Sequence, residues 1–122
     1  MVARSIMLQA SGLHVCIGSS LIINDFSAVF AEGDWTGLLG ANGAGKTTLL
    51  RAISGRSAIA HGSLKMAGRD LAADRLSRAQ SIGFAVDQAA LPKQLTAAEV
   101  FHLTRGSVFR VQEHQQLLPL WQ

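Results

Sequence analysis

The sequence has a single cysteine, no tyrosine, and few charged side chains, which make up 16% of its 122 residues. The lone Cys16 excludes an internal disulfide and is typical of a protein that works in a reducing compartment. No apolar run is long enough to span a membrane as a helix. Hydrophobic residues nevertheless make up 48% of the chain, so the chain is too apolar to be disordered. The net charge of +3 comes from scattered lysines and arginines, which indicates a solvated surface and no nucleic-acid partner.

One glycine-rich stretch fits the phosphate-binding pattern G-x-x-x-x-G-K-[ST] at every fixed position. Its residues are Gly40, Ala41, Asn42, Gly43, Ala44, Gly45, Lys46, Thr47 and Thr48. The mostly apolar residues 35–39 precede it and predict a buried parallel strand. Leu49, Leu50 and Ile53 follow at the spacing of one helix face, and Gly55 predicts the end of that helix. The pattern therefore lies between a strand and a helix, which is the context that a phosphate loop needs.

Each residue type in this pattern has a role in phosphate chemistry. The three glycines allow a tight turn that brings backbone N–H groups close to phosphate oxygens. The start of the following helix adds unpaired N–H groups and a partial positive charge. Lys46 can reach the terminal phosphates, the Thr47 hydroxyl can hold a magnesium ion, and Thr48 can donate a further hydrogen bond. The stretch therefore predicts a nucleotide-binding site.

Hydrophobic periodicity predicts the elements around this loop. Apolar and polar residues alternate near residues 6–8, 13–17 and 26–30, which predicts half-buried antiparallel strands separated by turns at 18–20 and 24–25. Further strands are predicted around residues 62–68 and over residues 81–86. Helix starts are predicted at Asp74 and at Thr96, where Glu99 completes a capping box. The sequence thus predicts an α/β protein, an antiparallel β subdomain followed by a βα core with parallel strands.

Several segments, in order, resemble the N-terminal part of the ATP-binding cassette (ABC) ATPases that power transporters. The nucleotide loop is very close to the family's loop and includes Asn42, although Ala41 stands where a proline is common. The other similar segments are residues 24–34, 62–71, 81–88 and 95–100. Together they cover most of residues 6–105. The loop by itself indicates only a P-loop NTPase, and the ordered set of segments makes the resemblance specific.

The resemblance implies a two-lobed domain that works as a face-to-face dimer. Each ATP lies between the loop of one copy and a signature segment of the other. It further implies ATP and Mg²⁺ as ligands, a membrane-spanning transporter subunit as partner, and a cytoplasmic position at the inner face of the membrane through that subunit. By matching position, Gln88 is expected to contact the magnesium shell together with Thr47 and to face the membrane subunit.

The sequence also departs from the family's pattern. Ile17 stands where the family has an aromatic side chain that stacks on adenine. His14 is a conceivable substitute, but a surface or core histidine is the simpler interpretation. The family's signature segment, catalytic glutamate and switch histidine have no counterpart here. We therefore expect residues 1–122 to form a truncated nucleotide-binding domain that binds ATP, has no catalytic residue and does not hydrolyse ATP.

Two other functions remain open from the sequence alone. Asp87 ends a predicted strand, as the magnesium-binding carboxylate does in a self-contained P-loop kinase or RecA-like ATPase. A non-enzymatic remnant that binds no nucleotide is the second alternative. Residues 76–80 faintly resemble the ABC signature, but they lack its glycines and precede Gln88, so we do not assign them that role.

Overall fold

The computed structural model describes residues 4–85 and 93–104. Within these ranges it contains four strands, β1 (Ile6–Ile17), β2 (Ser20–Ala31), β3 (His61–Met66) and β4 (Arg69–Asp70). The helices of the same ranges are α1 (Lys46–Ile53), α2 (Arg75–Ser81) and α3 (Ala97–Thr104). The strands form one sheet in the order β2-β1-β3-β4, and each neighbouring pair is antiparallel. The antiparallel subdomain predicted from the sequence is therefore present.

The strands β1 and β2 form a long hairpin. Its turn lies at Gly18 and Ser19, as predicted, and Gly18 has a φ of 58°. The second predicted turn, at residues 24–25, is wrong, since β2 continues through it. Asp25 adopts a φ of 61° there, near Gly12 and within a shift of register between the strands. This irregularity bends the strand without ending it, which is how a β-bulge differs from a turn.

The hydrophobic core lies between the sheet and α1. Helix α1 contributes Leu49, Ala52 and Ile53, which the helical period places on one face. The sheet contributes Ala10, Leu13, Val15, Ile23 and Leu64. Because α1 begins within the glycine-rich stretch, at Lys46, this packing holds the stretch beside the sheet.

The prediction of a buried strand at residues 35–39 is wrong. Those residues have no regular secondary structure, and Trp35 and Leu39 are 101% and 94% exposed. A parallel strand that is buried on both faces needs partner strands beside it and layers above and below. Every strand pair in residues 4–85 and 93–104 is antiparallel, so these ranges supply no such partner.

The strand predicted over residues 81–86 is also not formed in its described part. Helix α2 extends to Ser81, and residues 83–85 have no regular structure. The last residue of that prediction lies outside the described ranges. The predicted βα core with parallel strands is therefore not present in the part of the chain that the structure describes.

The two helix starts predicted from local sequence, at Asp74 and Thr96, are confirmed. The Asp74 carboxylate caps α2 by accepting from the Ser77 backbone N–H at 3.0 Å and from its hydroxyl at 2.7 Å. Thr96 and Glu99 form the predicted capping box at the start of α3, with the Glu99 carboxylate 2.7 Å from the Thr96 backbone nitrogen. The described helices, which have at most eight residues each, are too short to cross a membrane.

Candidate phosphate-binding site

The predicted phosphate loop connects the exposed residues 35–39 to α1. A turn at Asn42 and Gly43 reverses the chain, and the Ala44 backbone N–H donates to the Ala41 carbonyl at 3.1 Å. Gly43 and Gly45 have φ values of 84° and 99°. These values lie in the left-handed region, which glycine adopts without steric cost and most other residues avoid. The backbone of the loop therefore requires glycine at these two positions.

Gly45 is also where the loop contacts the sheet. A Cβ atom added there would lie 2.9 Å from Ile22 Cγ2 and 2.9 Å from Ile23 Cδ1, so close that one of these atoms would have to shift. Both isoleucines belong to β2, so the loop rests directly on that strand. Gly40 differs, because a Cβ atom there would make only ordinary contacts, the nearest at 3.5 Å from Ala44 Cβ.

The N-terminus of α1 has the properties of an anion site. No side chain caps it, and its first turn has no acidic residue. The helix begins at Lys46, and its first internal hydrogen bond runs from the Leu49 N–H to the Gly45 carbonyl at 2.9 Å. The first N–H groups of a helix and its macrodipole together attract negative charge. The loop and the helix start thus present donors to the same region.

The side chains of the pattern lie at this helix start. The Lys46 ammonium group donates a hydrogen bond to the Gly40 carbonyl, which places it across the loop. Residues 40–44 and Thr47 are exposed, whereas Gly45, Lys46 and Thr48 are half-buried. The structure therefore brings together the residues of the predicted site in an accessible position.

The predicted magnesium ligands are described only in part. Gln88 lies outside the described residues, as does Asp87 of the alternative hypothesis. Residues 4–85 and 93–104 contain no cluster of three or more His, Cys, Asp or Glu side chains that would hold a metal ion by itself. The exposed Thr47 hydroxyl fits Mg²⁺, which binds proteins through one or two oxygen ligands and takes others from phosphates and water.

The residue at the position expected to contact the nucleotide base is apolar. Ile17 ends β1, and its side chain is 59% exposed, so it offers apolar contact without an aromatic ring. His14 lies between the buried Leu13 and Val15, and alternation along the strand directs it to the opposite face of the sheet. Its ring contacts that of His61, with centroids 5.9 Å apart. This contact favours the interpretation of His14 as a sheet-face histidine.

One buried cation, at the C-terminal end of α1, was not predicted from the sequence. Arg78 of α2 is fully buried, and its guanidinium donates to four backbone carbonyls. The acceptors are Ala52 at 3.1 Å, Leu71 at 2.7 Å, Ala72 at 2.6 Å and Ser57 at 3.1 Å. Burial lowers the pKa of Arg78, because desolvation disfavours the charged form. Arg78 lies in a polar segment whose composition predicts exposure, so only the tertiary structure identifies it.

The glycine turn, the lysine and the free helix start are those of a P-loop nucleotide-binding protein. A family model described as ABC transporter matches residues 23–121. The chain therefore belongs to the ABC transporter family, as the order of its segments predicted.

Individual relatives agree with this assignment. The sulfate/thiosulfate import ATP-binding protein CysA of Ralstonia nicotianae is 40% identical over 92 residues, which are 75% of this chain and 24% of that protein. The hemin import ATP-binding protein HmuV of Pseudomonas entomophila is 39% identical over 89 residues, which are 65% of this chain and 35% of that protein. The chain thus spans between a quarter and about a third of the length of these two curated relatives.

A solved structure of an ATP-binding subunit of an ABC transporter has the same fold. It superposes with a TM-score of 0.70 at 24% identity, over 93% of this chain and 48% of that one. This likeness confirms the predicted P-loop NTPase fold class, even though the described residues form only antiparallel strand pairs.

Proposed function

We propose that this chain is the ATP-binding part of an ABC transporter ATPase and that residues 40–48 bind ATP with Mg²⁺. The observation that carries the proposal is the left-handed turn at Gly43 and Gly45, which leads into the uncapped N-terminus of α1 with Lys46 beside it. Membership in the ABC transporter family supports ATP as the nucleotide.

In this proposal each part of the loop has one task. Backbone N–H groups of the glycine turn and of the first turn of α1 bind phosphate oxygens. The Lys46 ammonium exchanges the Gly40 carbonyl for a terminal phosphate, and Thr48 adds a hydrogen bond. When bound, Mg²⁺ neutralises phosphate charge, and the Thr47 hydroxyl holds it, with Gln88 assigned to its shell by resemblance alone.

The relatives CysA and HmuV are import ATP-binding proteins. We infer a membrane-spanning transporter subunit as the partner, a cytoplasmic position at the inner face of the membrane, and a sandwich of two nucleotide-binding domains around ATP. Residues 1–122 correspond in this view to the front half of one such domain.

We further infer that the chain binds ATP without hydrolysing it. Hydrolysis needs a group that positions or activates water and additional charge stabilisation of the transition state. Most carboxylates of the described residues already have structural partners. Glu32 accepts from the Ser5 hydroxyl and Asp34 pairs with Arg4, while Asp74 and Glu99 cap helices. Because these four carboxylates already have structural partners, we infer that they do not activate water and that bound ATP stays in its ground state.

Titration calorimetry with magnesium–ATP tests the binding site. Lys46→Ala is expected to weaken binding at least tenfold, which corresponds to about 1.4 kcal/mol, because it removes the charge that contacts the terminal phosphates. Lys65→Ala is the matched control, since Lys65 is an exposed lysine on β3. Equal affinity of Lys46→Ala and the parent chain would contradict the assignment.

Phosphate release tests the absence of turnover. The purified chain is expected to release no more phosphate than the Lys46→Ala variant. Steady magnesium-dependent release that disappears in Lys46→Ala would refute this part of the proposal. If release also disappeared in Asp87→Ala, the self-contained P-loop enzyme would become the better hypothesis.

A further inference from the structure

The helix that begins at the phosphate loop is anchored at its other end by Arg78. Helix α1 begins at Lys46 and ends at Ile53. Arg78 of α2 donates to the Ala52 carbonyl in the last turn of α1 and to the Ser57 carbonyl just after it. The same guanidinium donates to Leu71 and Ala72, which follow β4. One side chain thus joins the end of α1 to the segment after the sheet.

The chemistry of arginine is needed for this arrangement. A buried charge is costly unless its donors are satisfied, and here carbonyl oxygens accept from Nε and from both terminal nitrogens. The planar fork of the guanidinium reaches carbonyls in several directions, whereas a lysine has one nitrogen. Arg78 remains charged despite the lowered pKa, because arginine is not deprotonated in proteins.

The neighbouring arginine provides a comparison. Arg75, also on α2, donates to the Gly55 carbonyl at 2.9 Å and to the Arg56 carbonyl at 2.6 Å. Both acceptors lie in the loop after α1, and the Arg75 residue is exposed. Arg75 therefore donates hydrogen bonds to the loop that follows α1, whereas Arg78 also donates to a carbonyl within the helix.

We propose that Arg78 is a positioning residue for the nucleotide site, acting through α1. This proposal rests on the proposed function. A helix of eight residues is about 12 Å long. A tilt of about 10° at its C-terminal end therefore moves its N-terminal N–H groups and Lys46 by about 2 Å, enough to misplace hydrogen bonds to phosphate, which are about 3 Å long. By holding the Ala52 and Ser57 carbonyls, Arg78 fixes the direction in which the helix start points.

Nucleotide affinity measured below the unfolding transition separates positioning from stabilisation. Magnesium–ATP is titrated into the parent chain, Arg78→Met and Arg75→Met, at a temperature where thermal melts show each protein fully folded. Arg78→Met is expected to weaken magnesium–ATP binding at least fivefold while its far-ultraviolet circular dichroism spectrum stays unchanged. The affinity of Arg75→Met is expected to stay within twofold of that of the parent. Parent-like affinity of folded Arg78→Met would overturn the proposal. Equal weakening in Arg75→Met would also overturn it, since any loosening of α2 would then suffice.

Arg78→Lys covers the case in which Arg78→Met does not fold. It keeps the charge but reaches fewer carbonyls, so affinity is expected to lie between that of the parent and that of Lys46→Ala. Parent-like affinity of this folded variant would overturn the proposal.

The outcomes also separate the positioning role of Arg78 from the proposed nucleotide-binding function. If the parent does not bind magnesium–ATP, both fail; if Lys46→Ala weakens binding and the Arg78 variants do not, only the positioning role fails.

Discussion

The ammonium group of Lys46 donates a hydrogen bond to the main-chain carbonyl of Gly40, so the lysine of the phosphate pattern is bonded to the first glycine of that pattern. This bond closes the loop on itself and holds the lysine at the entrance of the site. A phosphate oxygen competes with the Gly40 carbonyl for the same donor, and it carries more negative charge. In the proposed complex, phosphate binding would therefore exchange one hydrogen bond for a stronger, charge-assisted one.

The first prediction concerns Gly45. Gly45→Ala is expected to destabilise the chain by about 1–3 kcal/mol and to abolish nucleotide binding, because alanine at this φ is strained and its Cβ would overlap Ile22 and Ile23. Thermal melts measure the first effect. Gly33→Ala is the matched control, since Gly33 has a φ of 79° but no atom within 4 Å of the added Cβ. Equal melting temperatures for the two variants would show that the contact with β2 is unimportant.

The second prediction concerns magnesium. Thr47→Ala is expected to weaken ATP binding when magnesium is present and to change it little when the ion is chelated, because the hydroxyl acts through the metal. Titrations with and without a chelator measure this difference. Thr36→Ala, an exposed threonine before the loop, is the control and should bind as the parent does. The same loss of affinity under both conditions would assign Thr47 to the phosphates instead.

The third prediction concerns base selectivity. With Ile17 at the expected base position, ATP and GTP should bind with similar affinity, because an alkyl side chain makes no hydrogen bond that distinguishes the two bases. The stacking energy of an aromatic ring, worth about 1–3 kcal/mol in nucleic-acid sites and available to every base, is missing for both nucleotides. Competition binding measures the ratio. Ile17→Tyr should raise affinity for both nucleotides, whereas Leu21→Tyr, at another exposed strand position, should not. A strong preference of the parent chain for ATP would show that a different group recognises the base.

The fourth prediction concerns acid stability. Hydrogen bonds from the backbone N–H groups of Ala72 and then Leu64 hold the pKa of Asp70 below its ordinary value of 3.8. A carboxyl whose pKa is lowered by folding stabilises the folded state above its unfolded pKa, and this stabilisation is lost as pH falls through the folded pKa. Stability should therefore decline below about pH 4. Thermal melts across this range should show a smaller decline for Asp70→Asn, and an identical pH profile would contradict the role of Asp70.

The features that the sequence predicted correctly depend on a few neighbouring residues. The hairpin turn at Gly18 needs only a residue that accepts a positive φ, and the cap at Asp74 needs only Ser77 three positions later. The spacing of the glycines and the lysine in residues 40–48 is equally local, and the assignment of these residues to phosphate binding stays a prediction. Family membership follows from the order of such segments along the chain, and the family model confirms it.

The features that the sequence did not predict depend on distant parts of the chain. Residues 35–39 have the composition of a buried strand, but a strand forms only beside a partner. The apolar alternation of β2 did not show that it would continue through Asp25 as a bulge. The burial of Arg78 depends on carbonyls 6–26 residues away in the sequence. The assignment of Gln88 stays a prediction, because it lies outside the described residues.

The two-residue turn between β1 and β2 has a consequence for the order of folding. A hairpin with so short a turn closes with little loss of chain entropy, and contacts between residues near in sequence form quickly. Residues 6–31 also leave the ribosome before residues 40–48, so Ile22 and Ile23 can be in place before Gly45 reaches them. We therefore expect the strand surface that contacts Gly45 to begin forming before residues 40–48 pack against it.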